Sequence, residues 1–226
     1  KGTLFVDVQR RINMYLRALW GRDFFMKPTS GDFETREGYK PFIEHYFIHL
    51  PDAYDAYGDV SATEVYRAAA AHAAAHLVET KEPISAESLN PLQMAVISVI
   101  EDARVEELSI GRFPGLRKTW SALHSASPEM NTSMGDYLNR LARALLDPDY
   151  EDKDSWIMEG RKLFKAAKDQ LQNHKASWEI GVQLAHSFMD KRIPYNPRTD
   201  ILTAPYRDDN RYLWGFEELE FNKTLT

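Results

Sequence analysis

The chain has 226 residues, 43% of them hydrophobic and 27% charged, with 34 acidic and 28 basic side chains for a formal net charge of −6. That is room for one large or two small domains with a proper core. The balance excludes a disordered chain and a general nucleic-acid or anionic-membrane surface, and leaves only a local basic patch open. Having no cysteine, the chain can form no disulfide, thiolate metal site or thiol nucleophile, and it fits a cytoplasmic location.

There is no long uncharged apolar run to cross a membrane, and Lys1 to Arg11 mix apolar and charged types where a signal peptide needs an unbroken apolar stretch. A start without Met reads as a fragment boundary. Leu4, Val8, Ile12, Leu16 and Leu19 form the apolar stripe of an amphipathic helix over Leu4–Trp20, which Gly21 ends. Arg22 to Gly38, rich in Gly, Pro, Thr, Ser and charge, reads as loop. Phe42, Ile43, Tyr46, Phe47 and Ile48 then predict a short strand or hairpin within Pro41–Leu50.

Ser61 and Thr63 precede an alanine-dense run, which places a slender helix over Ala62–Glu79. Ala68 to Ala71 and Ala73 to Ala75 carry so little bulk that another element can approach the backbone closely. Pro91 opens a second strong helix to about Ile110, with Met94, Ile97, Val105 and Leu108 on one side. A short helix over Leu116–Ser125, a turn over Pro128–Asn131, a capped helix over Thr132–Leu146, and two more over Asp154–Asn173 and Ser177–Arg192 follow, with a weak junction near His174. After Pro194 the chain reads as extended, with Trp214 and Phe216 as anchors and Glu217–Glu220 as an acidic tether. No fixed-period repeat is present, and strands do not alternate with helices. The expected fold is mainly α: a single helical domain over residues 1–194 with a small β-hairpin near 40–50, admitting a zincin-like helix pair, followed by an extended segment over 195–226 that packs back on the helices.

The most informative chemistry is the pair His72 and His76 on the alanine helix. A spacing of four puts both imidazoles one turn apart on one face, where two nitrogens can hold one divalent metal. Glu101 projects into the apolar stripe of the next helix, among Met94, Ile97, Val105 and Leu108. A carboxylate buried there needs a cation, a metal, a protonated imidazole or hydrogen-bond donors. In the preferred reading His72, His76 and Glu101 form a buried polar cluster that pins two helices, with Arg104 and Glu106 as outer partners. In the other they hold a metal, zinc being the candidate; a solvent-exposed pair without a role is the third. The order of strand, His-x-x-x-His helix and Glu-bearing helix is similar to the frame of zinc metallopeptidases. Ala73, however, stands where those enzymes carry the Glu that activates zinc-bound water.

His45 and His49 are expected on one strand face, too far apart for easy chelation, and His124, His174 and His186 are isolated. Arg112, Arg117 and Lys118 around Phe113 and Trp120 form the one basic-aromatic cluster, read as a solvated loop with a tucked aromatic in preference to a docking site. There is no nucleophile elbow, P-loop or GxGxxG run. The run Tyr206–Trp214 is expected to fold back on the helices or to bind a neighbour, with Arg207 and Arg211 pairing only weakly with Asp208 or Asp209 if these are exposed.

Several runs together resemble the CbbO/NorD family, the large partners of MoxR-type AAA+ ATPases: Gly2–Asp7, Leu16–Trp20, Tyr66–Leu77 (YRAAAAHAAAHL), Ile100–Glu106 (IEDARVE), Pro114–Arg117 and Tyr206–Trp214 (YRDDNRYLW). The IEDARVE run is also similar to a cobalt-chelatase subunit, so by itself it marks only the class of MoxR partners; the alanine-histidine helix and the last run point to the CbbO-like branch. The resemblance implies a non-catalytic adaptor that works with a CbbQ-like AAA+ hexamer to release inhibitory sugar phosphates from Rubisco, or, on the NorD-like branch, one that assists nitric oxide reductase. It implies no cofactor in this region. The family's Mg²⁺ belongs to a von Willebrand factor A domain whose Asp-x-Ser-x-Ser motif does not occur in these residues, so the chain reads as the helical region ahead of that domain. A metal-dependent hydrolase or its relic, and a plain scaffold, are the competing readings. Neither nucleic acid nor membrane is expected as a partner.

Overall fold

A computed structural model describes residues 2–29 and 40–215. Within them the fold is mainly α, with seven α-helices and a few short strands. The described residues gather into two compact units, each discontinuous in sequence: residues 2–29, 40–79, 109–125 and 204–212 in the first, and 80–108, 126–203 and 213–215 in the second.

The first unit opens with strand β1 (Thr3–Leu4) and helix α1 (Phe5–Trp20). Val8, Ile12 and Leu16 of the expected stripe are buried, each contributing about 1.5–3 kcal/mol as an upper bound, but Leu4 lies before the helix and is 47% exposed, Leu19 is half-buried, and Phe5 takes the buried place at the start. Gly21 closes the helix in the left-handed conformation, its N–H donating to the Arg17 carbonyl at 2.8 Å. The stretch expected as loop contains a strand, β2 (Phe25–Pro28), which pairs parallel with β4 (Phe47–Leu50). Local composition hid it, because its pairing comes from residues some twenty positions away. The expected hairpin is present: β3 (Phe42–Glu44) runs antiparallel to β4, with Glu44 opposite Phe47. Its two loop residues, His45 and Tyr46, both have positive φ, as a mirror-image hairpin turn demands. His45 therefore lies in the turn and not on a strand beside His49, whose ring stacks on Phe42 at 4.3 Å. β5 (Ala53–Tyr54) pairs with β1.

Helix α2 (Ala62–Glu79) has the expected bounds, started by Ser61 and Glu64, which exchange side-chain and backbone hydrogen bonds across its first turn. It is buried almost all round from Ala68 to His76, and α1, β4, β5 and the short helix α4 (Leu116–Ser121) pack against it. The helix expected to reach Ser125 ends earlier, its last turn tightening after Ser121.

The second unit holds β6 (Ile84–Ser85) and most of α3 (Pro91–Arg112). It continues with α5 (Met134–Leu146), α6 (Ser155–Ala166) and α7 (Lys175–Phe188). Its core is built from Val96, Ile100, Leu138, Leu141, Trp156, Ile157, Leu184 and Phe188. α5 begins two residues later than expected, because Ser133 and Asp136 form a reciprocal capping box. Asp154 caps α6 by accepting from the N–H groups of Trp156 and Ile157. The helices expected to run to Asn173 and Arg192 stop at Ala166 and Phe188 and pass into single 3-10 turns. Gly181 on α7 touches α3: a methyl group there would lie 2.4 Å from Ile97 Cγ1 and 2.7 Å from its Cα.

Residues 193–203 belong to the second unit, where Asp200 accepts from the Gly135 N–H at 2.9 Å and the Asn139 amide bridges Ile201 and Thr203. Trp214 and Gly215 form β7, parallel to β6. Phe216 and Glu217–Glu220 lie outside the described residues.

Candidate functional site

Two buried polar clusters stand out, one in each unit. In the first unit the alanine helix brings His72 and His76 to one face, both fully buried, with ring centroids 4.8 Å apart and planes nearly perpendicular. The small side chains around them let residues 204–212 run past the helix as a strap. Tyr54 donates to the Pro205 carbonyl at 2.7 Å, and burial, reinforced by neighbouring Tyr66, holds its phenol protonated well above the ordinary range, so it stays a donor. Tyr206 stacks on Trp120, meets the His72 ring edge-on at 5.5 Å, and bonds through its hydroxyl to His124 Nε2 at 2.8 Å. Trp120 is fixed in turn by its indole N–H, which donates to the Ala68 carbonyl at 3.0 Å. Farther along, the Asp209 N–H donates to the Pro41 carbonyl, and Arg211 lies over Phe42 while pairing with Glu44 at 3.2 Å and Asp209 at 2.7 Å.

Between these anchors Asp208 points inward. It is 2% exposed, and its Oδ1 lies 3.0 Å from His72 Nε2 and 3.6 Å from His76 Nε2. Its other oxygen accepts from the Asn210 N–H, closing a turn in which Asn210 has φ 62°. One carboxylate oxygen thus faces two imidazole nitrogens, all three side chains being buried. Such a set can share protons between carboxylate and imidazole, or replace them with a divalent ion. The weak pairing expected of Asp208 or Asp209 if exposed applies to Asp209, which pairs with Arg211 at the surface; Asp208 is buried and is the acid of this cluster.

Glu101 lies in the second unit, buried as its position in the apolar stripe predicts, together with Asp102, Arg104 and Glu106 on the same helix. Its partners differ from the expected imidazoles. Oε1 accepts from Arg104 Nε and Ser177 Oγ, Oε2 from Arg104 Nη2 and Thr80 Oγ1, the two hydroxyl bonds at 2.9 Å each. Four donors fill the lone pairs of a carboxylate, so no lone pair remains for a metal. Arg104 is a direct partner and not an outer one: the pair is a two-pronged i, i+3 ion pair, and the third arm of the guanidinium donates to the Leu171 carbonyl at 2.7 Å.

The remaining candidates have ordinary surroundings. His174 caps the N-terminus of α7 without a side-chain bond, and His186 is exposed on that helix. Trp120 of the basic-aromatic cluster is fully buried, Phe113 packs edge-on against Trp20 at 5.2 Å, and Arg112 lies over Phe113. Lys118 faces a cleft of ≈ 370 Å³ in the first unit, which Tyr15, Val60, Glu64, Arg67 and Thr119 also line. Burial pushes the Tyr15 phenol up there, with Arg67 opposing. No helix among the described residues is long and apolar enough to cross a membrane. Comparison with protein-family models, with curated proteins and with solved structures gave no match.

Proposed function

We propose that the chain is an adaptor region of a CbbO-like protein, which couples a CbbQ-like MoxR-type AAA+ hexamer to Rubisco and promotes the release of inhibitory sugar phosphates. ATP hydrolysis is the work of the partner ring. One observation supports this reading. The runs that carry the resemblance supply the buried polar framework: His72 and His76 from Tyr66–Leu77, Asp208 from Tyr206–Trp214, and Glu101 with Arg104 from Ile100–Glu106. Interiors packed and bonded in this way move as bodies and do not deform continuously, which suits a part that passes on motion generated elsewhere. Ala73 after His72 speaks against peptide hydrolysis of the zincin type.

The test has two arms. Immobilised chain should retain a purified CbbQ-like hexamer, and the full-length protein with that ring should restore carboxylation by Rubisco blocked with a sugar phosphate. Restoration of nitric oxide reductase activity in its place would assign the chain to the NorD-like branch. A ring that ignores the chain, together with reactivation that survives deletion of this region, would refute the adaptor role and leave a scaffold.

A further inference from the structure

We propose that His72, His76 and Asp208 are the protein ligands of a structural divalent metal ion, zinc in the first place, inside the first unit. The inference is independent of the adaptor reading. Three features carry it.

The first is geometry. Two ligands bound to zinc at about 2.0–2.1 Å in a tetrahedron lie about 3.3 Å apart. Asp208 Oδ1 stands 3.0 and 3.6 Å from the two Nε2 atoms, on either side of that edge, and the three ligand atoms are within 4.8 Å of one another. The longer separation exceeds hydrogen-bond range, so a proton between Asp208 and His76 does not account for the approach of both rings to one oxygen. The second is the donor set. Two imidazoles and one carboxylate, with no cysteine in the chain, suit zinc and related divalent ions of the first transition row.

The third is charge and support. A carboxylate at 2% exposure beside two fully buried imidazoles is costly without a countercharge, and a divalent ion supplies one. The ligands are also held from behind. α2 fixes both histidines one turn apart, the His72 ring is wedged edge-on against Trp120 and Tyr206, and the Asn210 N–H orients the far oxygen of Asp208. With all three ligands sealed from solvent, the ion would serve as a clasp that fastens the strap to the helix and not as a reaction centre.

The experiment uses the whole purified chain. Elemental analysis after extensive dialysis should find about one equivalent of zinc. Metal-stripped chain should take up one equivalent of Zn²⁺, and its melting temperature should rise by about 5–10 °C at a hundredfold excess over the dissociation constant. Co²⁺ in place of zinc should give the intense visible absorption of a tetrahedral site. Asp208→Asn and His76→Gln should bind no zinc and lose the cobalt spectrum. Glu101→Gln, in the other buried cluster, should keep both, which separates metal loss from general unfolding. Chain that holds less than a tenth of an equivalent, melts alike with Zn²⁺ and with chelator, and gives no cobalt spectrum would overturn the proposal and leave a hydrogen-bonded His72–Asp208 pair. Retention of full zinc by both Asp208→Asn and His76→Gln would overturn it as well.

Discussion

Replacing Glu101 with Ala removes the carboxylate that pairs in two places with the Arg104 guanidinium, which is itself 1% exposed. Three donors lose acceptors at once: Arg104, Thr80 and Ser177. Breaking a buried ion pair from one side costs about 3–5 kcal/mol, because the remaining charge stays in a medium that solvates it poorly. Set against a typical total of about 5–15 kcal/mol, this is a large part of the folding free energy. With about 2–4 °C per kcal/mol for a chain of this size, the melting temperature should fall by about 6–20 °C. Urea unfolding followed by circular dichroism should show a lower midpoint at unchanged slope. Amide exchange along residues 91–108 should accelerate by roughly two to four decades, which localises the effect to the second unit. The double variant Glu101→Leu with Arg104→Met should recover much of the loss, since apolar side chains of similar size carry no buried charge. A loss below about 1 kcal/mol for Glu101→Ala, the range of a surface pair, would refute the reasoning that Arg104 depends on this carboxylate.

Gly181→Ala should destabilise by about 1–3 kcal/mol or more, read as a lower urea midpoint, because the new methyl meets Ile97 backbone at 2.7 Å and α7 cannot retreat without opening the core. In acid, Asp152 and Asp154 are the groups to watch. Burial raises both, but Asp152 is held below the usual carboxylate range by bonds from Arg140 and Tyr150, and Asp154 by Lys191 and the first amides of α6. Their contribution is therefore complete above the ordinary carboxyl value of about 3.9 and is lost as pH falls through the lowered native values. Asp152→Asn should flatten this acid limb in a series of denaturation midpoints. At the alkaline end, burial first and then the Asp152 carboxylate push the Tyr150 phenol up to about 12. Stability should then decline as pH rises from about 10, where an unfolded tyrosine ionises, towards that value, and Tyr150→Phe should make the decline shallower, the remainder coming from other buried phenols such as Tyr54.

Much of the fold was legible locally. The bounds of α2 follow from an alanine run behind Ser61 and Thr63, and Val8, Ile12 and Leu16 of the α1 stripe are buried as their spacing requires, while Leu4 and Leu19 at its ends are not. The burial of Glu101 was visible as a carboxylate in an apolar row, and its partner Arg104 sat one turn along the same helix, within reach of the i, i+3 rule. β2 was hidden because a strand of four residues ending in Pro carries no alternation strong enough to declare itself, and it exists only through its parallel neighbour β4. Asp208 was hidden for the same reason on a larger scale. Nothing in the period of residues 204–212 says which carboxylate turns inward, since adjacent Asp208 and Asp209 are alike in sequence and opposite in burial. The only hint was the density of aromatic and hydrogen-bonding groups in Tyr206–Trp214, too costly to leave as a free tail.

The strap also sets an order of events during synthesis. His72 and Asp208 are 136 positions apart in the chain, so the interior of the first unit stays incomplete until nearly all of the described sequence has left the ribosome. At about 5–20 residues per second, translation of that interval takes roughly 7–27 s. During this delay the alanine helix waits with one flank bare, while α5, α6 and α7, close neighbours in sequence, can already assemble. A nascent chain stalled before residue 204 should therefore bind a hydrophobic-surface chaperone through its first unit, and release it once residues 204–212 emerge.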